Sequence, residues 1–178
     1  MIISLKPLVG TVLNISCICF VHLFGSWICL KIPRGWFKIN TGLFRTYWWE
    51  EQGRFYRLIM VKKWKEFLPD GAKLFKAGFQ KKRLQEKSEG YYHEFLLETK
   101  RAEITHYITM VPLLFFFIWN PIEAYVLILL YGIILNVPCI IVQRYNRIRF
   151  SKIVSKLNNK KKSGFMPSSS KNTNEINY

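Results

Sequence analysis

Acidic residues are scarce in this chain. Eleven Asp and Glu stand against 27 Lys and Arg, a net charge of +16 over 178 residues. Charge is absent altogether from long stretches. Leu8 to Leu30 carries none and is interrupted only by Asn14, His22 and a few small residues. From Tyr107 to Val142, Glu123 is the one residue drawn from Asp, Glu, Lys, Arg and His. Cysteine is sparse as well. Cys17, Cys19, Cys29 and Cys139 all lie in apolar stretches, and their spacing matches neither a zinc knuckle nor a redox pair. This argues for packing and against a bound metal. No small-x-small cleavage site precedes Lys31, and the first apolar run is too long for a signal peptide, so a retained anchor is expected. No nucleic-acid recognition motif and no internal repeat is visible. The positive charge is interleaved with apolar segments, which points away from nucleic acid and towards anionic lipid or a phosphorylated co-substrate.

What is present has the pattern of a small, mainly α, integral membrane protein. Three spans are expected, at about 8–30, 104–119 and 121–142, within one membrane-embedded domain covering 1–157. At ~1.5 Å per residue the first crosses a hydrocarbon core of ~30 Å with some tilt. Trp119-Asn120-Pro121 breaks the second apolar stretch into a hairpin, whose two ends must lie on the same side of a bilayer. Segment 31–103 holds 17 Lys and Arg, segment 143–178 holds nine, and the turn 119–122 holds none. The positive-inside rule then puts the N-terminus and hairpin tip outside, and 31–103 and 143–178 inside. The cell membrane is the expected location, with the active face cytoplasmic.

Between the spans, Trp36, Phe37, Phe44, Tyr47, Trp48 and Trp49 suit either the headgroup level or packing against neighbouring helices. Residues 54–67 read as a basic amphipathic helix lying in the interface, ended by Pro69-Asp70-Gly71. A polar segment, 72–90, precedes a helix that starts near Tyr91 and runs into the second span. From 158 to 178 the chain is Lys, Ser and Asn, a composition expected to stay disordered.

The residues suited to chemistry gather at the mouth of the hairpin. Glu103 and His106 are three apart and so neighbours on a helix, as are Glu98 and Arg101. A carboxylate beside an imidazole supports a general base, or the two simply satisfy each other. His93 and Glu98, five apart, loosely echo the His-four-residues-Asp pattern of soluble glycerolipid acyltransferases. Glu replaces Asp there, and the partner Gly-rich motif is missing. Asn136, two residues before Pro138, either satisfies the backbone freed by the proline or faces a polar cavity with His106. Arg144, Arg147 and Arg149 either bind phosphates or anchor the third span.

Several blocks together resemble the glycosyl-4,4′-diaponeurosporenoate acyltransferase family, which adds a fatty acyl group to the sugar of the carotenoid staphyloxanthin. They are Lys62-Lys63-Trp64-Lys65 followed by Asp70-Gly71, Glu98-Thr-Lys-Arg-Ala-Glu103 with His106, and Asn136-Val-Pro138 ahead of Gln143-Arg-Tyr-Asn-Arg147. The likeness runs from about Ile32 to Ile148. The chain has Ile148 where the family usually has Pro, and the loop 72–90 and the tail diverge. The resemblance implies transfer of a fatty acyl group to a sugar hydroxyl of a glycosylated carotenoid or related glycolipid. His106 would be the base, Glu103 or Glu98 its orienting group, and Asn136 a donor to the oxyanion. Lys65, Arg101, Gln143, Arg144, Asn146 and Arg147 would bind substrate. No cofactor is implied; an acyl thioester of coenzyme A or acyl carrier protein is the co-substrate. Other carotenoid-pathway enzymes are plausible associates. A non-enzymatic membrane subunit that binds anionic lipid, or scaffolds such a pathway, is the rival reading. It has no use for Glu98, Glu103 and His106 together. A transport component fits less well, because the spans carry so little charge.

Overall fold

A computed structural model describes residues 2–38, 42–50, 53–68 and 88–163. Among these the chain is helical, with no strand. Helix α1 is Pro7–Lys31, and its proline sits in the first turn, where a missing N–H costs nothing. Single 3-10 turns follow at Arg34–Lys38 and Gly42–Phe44. Two short helices, α2 (Arg54–Leu58) and α3 (Val61–Trp64), lead into a 3-10 turn at Lys65–Phe67. Helix α4 is Glu89–Met110, continued by 3-10 turns over Val111–Ile118 where Pro112 removes a donor. Helix α5 is Ile122–Lys162 and runs through Pro138.

Three helices are long and apolar enough to cross a membrane: Pro7–Lys31, Glu89–Ile118 and Ile122–Lys162. Their outward faces are apolar, with Val12, Phe20, Leu23, Phe115, Leu127 and Ile134 exposed. That is the surface of a membrane protein, which has lipid rather than water to satisfy. Two glycines let the helices close on each other. A Cβ at Gly132 would sit 2.5 Å from Leu113, and one at Gly25 3.2 Å from Thr109.

At the hairpin tip, Asn14 of α1 accepts from Trp119 Nε1 (2.8 Å), and its amide donates to Asn120 Oδ1 (2.7 Å). The backbone N–H groups of Ile2 and Ile3 donate to the Ile118 carbonyl. The N-terminal end of α1 therefore shares one end of the bundle with the tip, and the Lys31 end lies with the charged mouth. This is the relative arrangement that the charge distribution predicts.

Two expectations are revised. The amphipathic helix over 54–67 is broken at Ile59-Met60, where Met60 has a left-handed φ of 50°. Five residues of unbroken helix would put Tyr56 and Val61 ~140° apart. The break lets both bury against Ile148. Helix α4 starts at Glu89, near Tyr91 as expected, because the Ser88 hydroxyl accepts from Tyr91 N at 3.2 Å and caps it. Finally, residues 158–162 continue α5 instead of opening a tail. Val154 packs with Tyr92, Phe95 and Phe150, Leu157 joins them, and Lys161 pairs with Glu89. Residues 164–178, and the turn 69–71 with most of 72–90, lie outside the described residues.

Candidate active site

Two polar layers meet where α4 crosses α5. The first lies inside the bundle. Asn136 of α5 is buried, and its Nδ2 donates to the Gly132 carbonyl one turn back, at 2.9 Å. Its Oδ1 lies 2.9 Å from His106 Nδ1 and 3.0 Å from Thr109 Oγ1, whose one hydroxyl proton it shares with the His106 carbonyl, also at 3.0 Å. The reverse amide orientation would bring Oδ1 against another carbonyl oxygen, so the surroundings settle which way the amide faces. The neutral His106 ring then carries its proton on Nδ1, with the lone pair on Nε2. His106 is half-buried. Of the two roles weighed for Asn136, it meets His106, while its bond to Gly132 does not reach the Ile134 carbonyl that Pro138 frees. Of the two Nδ2 hydrogens of Asn136, one goes to Gly132.

The second layer is a buried ion network at the mouth. Glu103 and Glu50 are fully enclosed. Glu103 accepts from Arg144 Nη1 at 2.8 Å through one oxygen and from Arg147 through the other. Its carboxylate thus goes to arginines, where the spacing suggested His106. Glu50 accepts from Arg144 Nε and Nη2, both at 2.7 Å, from the Tyr47 N–H at 3.0 Å and from the Tyr56 hydroxyl. Arg144 also donates to the carbonyls of Leu43 (2.9 Å) and Arg45 (3.1 Å). A guanidinium has five N–H donors, and all five are used. Burial alone would raise the Glu50 carboxyl, but the bonds from Arg144, Tyr47 and Tyr56 outweigh it and hold it below the usual glutamate range. Burial, then the Glu50 carboxylate, push the Tyr56 phenol up.

Aromatic rings close the network from the 34–50 strap. Tyr47 covers Arg144 at 5.4 Å, Phe44 covers Arg147 at 5.8 Å, and Phe37 covers Arg101 at 5.3 Å. Lys100 donates to the Phe37 carbonyl at 2.9 Å and faces the Phe44 ring. Of the two readings of this aromatic cluster, packing therefore holds for Phe37 and Phe44, while Trp36, Tyr47, Trp48 and Trp49 are exposed.

The other expected residues are dispersed. Glu98 accepts from Arg101, an i,i+3 pair along α4. Asn146 is buried and Gln143 half-buried, with Gln143 Oε1 unpartnered among the described residues. Lys65 faces the Tyr145 ring at 5.6 Å. His93 lies on the surface, 4.0 Å from Glu89, rather than with Glu98. The sequence reading passed over Glu50, Tyr56 and Thr109. Thr109 is three residues from His106, a helical spacing that marks it as a neighbour. Nothing local marks Glu50, which is 94 residues from its arginine.

A buried neutral ion network beside a tautomer-fixed histidine can support proton transfer at the edge of an apolar bundle. Among the described residues no group of His, Cys, Asp and Glu is placed to hold a metal. Comparison with known proteins agrees with an enzyme. The family model described as glycosyl-4,4′-diaponeurosporenoate acyltransferase matches residues 33–156. The protein of that name from Staphylococcus aureus strain MRSA252 is 34% identical over 125 residues, covering 70% of this chain and 75% of its own. That of strain Newman is 33% identical over 131 residues, covering 73% and 79%. No solved structure matches. The chain belongs to the glycosyl-4,4′-diaponeurosporenoate acyltransferase family, and so to the acyltransferases.

Proposed function

We propose that this enzyme moves a fatty acyl group from a thioester to a sugar hydroxyl of a glycosylated carotenoid, at the cytoplasmic interface, with His106 as the base. The acceptor class is drawn from the name its relatives carry. The observation that carries the mechanism is the His106–Asn136 hydrogen bond at 2.9 Å, with the amide locked by Gly132. In this reading His106 Nε2 takes the hydroxyl proton as the sugar oxygen attacks the thioester carbonyl. The tetrahedral intermediate collapses, the C–S bond breaks, and the imidazolium returns its proton to the leaving sulfur. Asn136 acts as a positioning residue that keeps the lone pair on Nε2. Glu103, Glu50, Arg144 and Arg147 pin α4, α5 and the 34–50 strap together and so fix where His106 stands. Both substrates are amphiphiles, and their reacting groups meet at the mouth where these side chains lie. The reading as a lipid-binding scaffold is not favoured by the family membership.

The test is direct. Purified protein in nanodiscs, given a labelled acyl thioester and a glycosylated carotenoid, should form a labelled carotenoid ester. Failure with every acyl thioester tried, by a protein that remains folded and inserted, would sink this reading.

A further inference from the structure

The arginines that the sequence offered for phosphate binding are consumed inside the fold. Arg144 has no N–H left to give, and Arg147 is 5% exposed beneath Phe44. Other cations lie exposed nearby. Tyr56, Arg57, Met60, Lys62, Lys63 and Tyr145 line an open cleft of about 310 Å³ between α2, α3 and α5. Its walls are the Tyr56 and Tyr145 rings, 5.9 Å apart, and the Met60 side chain. Its rim carries Lys62 and Lys63, both exposed. We propose that this cleft binds the phosphate of a phosphopantetheine-bearing acyl donor, with the apolar walls holding the adjoining part of that molecule. The inference rests on the thioester-donor reading above.

Three observations converge on it. First, the cleft joins cationic rim to apolar wall, which suits a phosphate ester better than a free inorganic ion. Second, the neighbourhood is overcharged. Burial lowers the Lys65 ammonium, and with Glu66 opposing, Arg149 and Lys62 lower it further. A bound anion would relieve that crowding. Third, Tyr56 belongs to both places: it lines the cleft and donates to Glu50. Glu50 holds Arg144, which reaches Glu103, one helical turn before His106. From Tyr145 to Asn136 is nine residues of α5, ~13 Å along the axis and ~180° around it, so the pantetheine arm has to round α5 to bring the thioester to His106.

The experiment uses the full chain in nanodiscs of neutral lipid, with coenzyme A as the probe and no acceptor present. Lys62→Gln/Lys63→Gln is compared with Lys152→Gln/Lys156→Gln, which removes the same charge from exposed positions on α5. The first pair should weaken coenzyme A binding by about tenfold or more, as expected for lost charge-assisted bonds. It should raise the donor KM by a similar factor and leave kcat within about twofold. The second pair should leave both unchanged. Unaltered coenzyme A affinity in the first pair overturns the proposal, as does an equal loss in both pairs, which would mean diffuse attraction. A first pair that keeps coenzyme A but loses response to vesicles containing phosphatidylglycerol also overturns it, because the cleft would then serve lipid headgroups. Binding is read without turnover. A wild type that binds coenzyme A through this cleft yet acylates nothing would refute the proposed reaction and not the cleft.

Discussion

His106 is useful as a base only if its lone pair is on the nitrogen facing substrate, and that is decided by one amide 30 residues away. His106→Ala should abolish acyl transfer while the protein stays folded and inserted, since a positioned base is worth ~10²–10⁴-fold in rate. His93→Ala should be nearly silent. Its ring is exposed and its partner, Glu89, lies on the surface. Turnover by both variants in a discontinuous ester-formation assay checks the contrast, and a dead His93 variant with a working His106 variant would refute the assignment. Asn136→Ala removes the tautomer lock without touching the base. It should lower kcat by on the order of 10- to 100-fold, part of the base's own worth, with the donor KM little changed. A shift in the pH–rate profile of Asn136→Ala would separate loss of positioning from a packing defect, which has no reason to move it.

Among the elements, the join between α4, α5 and the 34–50 strap is carried by charges that have left water. Removing one partner of a buried pair leaves the other uncompensated, at a cost of about 3–5 kcal/mol. Arg144→Gln strands Glu50 and weakens the hold on Glu103, so it should lower the melting temperature sharply in nanodiscs or detergent. A sequence reading that gives Arg144 to donor phosphates expects a raised donor KM and normal stability, so thermal melting and kinetics together distinguish the two. The same network sets a pH dependence. The Glu50 carboxyl is held below its unfolded value of about 4.3. Its contribution is therefore complete above that value and is lost as pH falls through the lower, folded value. Wild type should lose stability on acidification below about pH 4. Glu50→Gln, already lacking the charge, should be less stable at neutral pH and show a shallower acid slope.

At the scale of the whole molecule, three spans with a charged mouth at one end define a topology open to labelling. After replacement of the four native cysteines, a cysteine at Ile122, exposed at the hairpin tip, should react with an impermeant thiol reagent in intact cells. One at Lys156 should not. The reverse result would put the mouth outside and refute a cytoplasmic reaction. Much of this scale was legible in the chain alone. Hydropathy and charge are summed along a helix, so the spans, the hairpin and the gathering of Glu98, Glu103 and His106 at its mouth follow from local runs and 3-to-4 spacing. The extent of α5 and the break at Met60 did not follow, because each answers to burial against a partner: Tyr92 and Phe95 for the end of α5, Ile148 for the break. Nor did the pairings. Helical spacing brings Glu103 near His106, but packing gives both its oxygens to arginines of α5, and brings Glu50 across 94 residues to fill Arg144. By itself the sequence determined that a histidine and charged side chains meet at one end of an apolar hairpin. Only the tertiary structure decided that the charges clamp the helices to one another and that Asn136 meets the histidine, because a buried guanidinium or carboxylate must take whatever partner the packed helices bring to it.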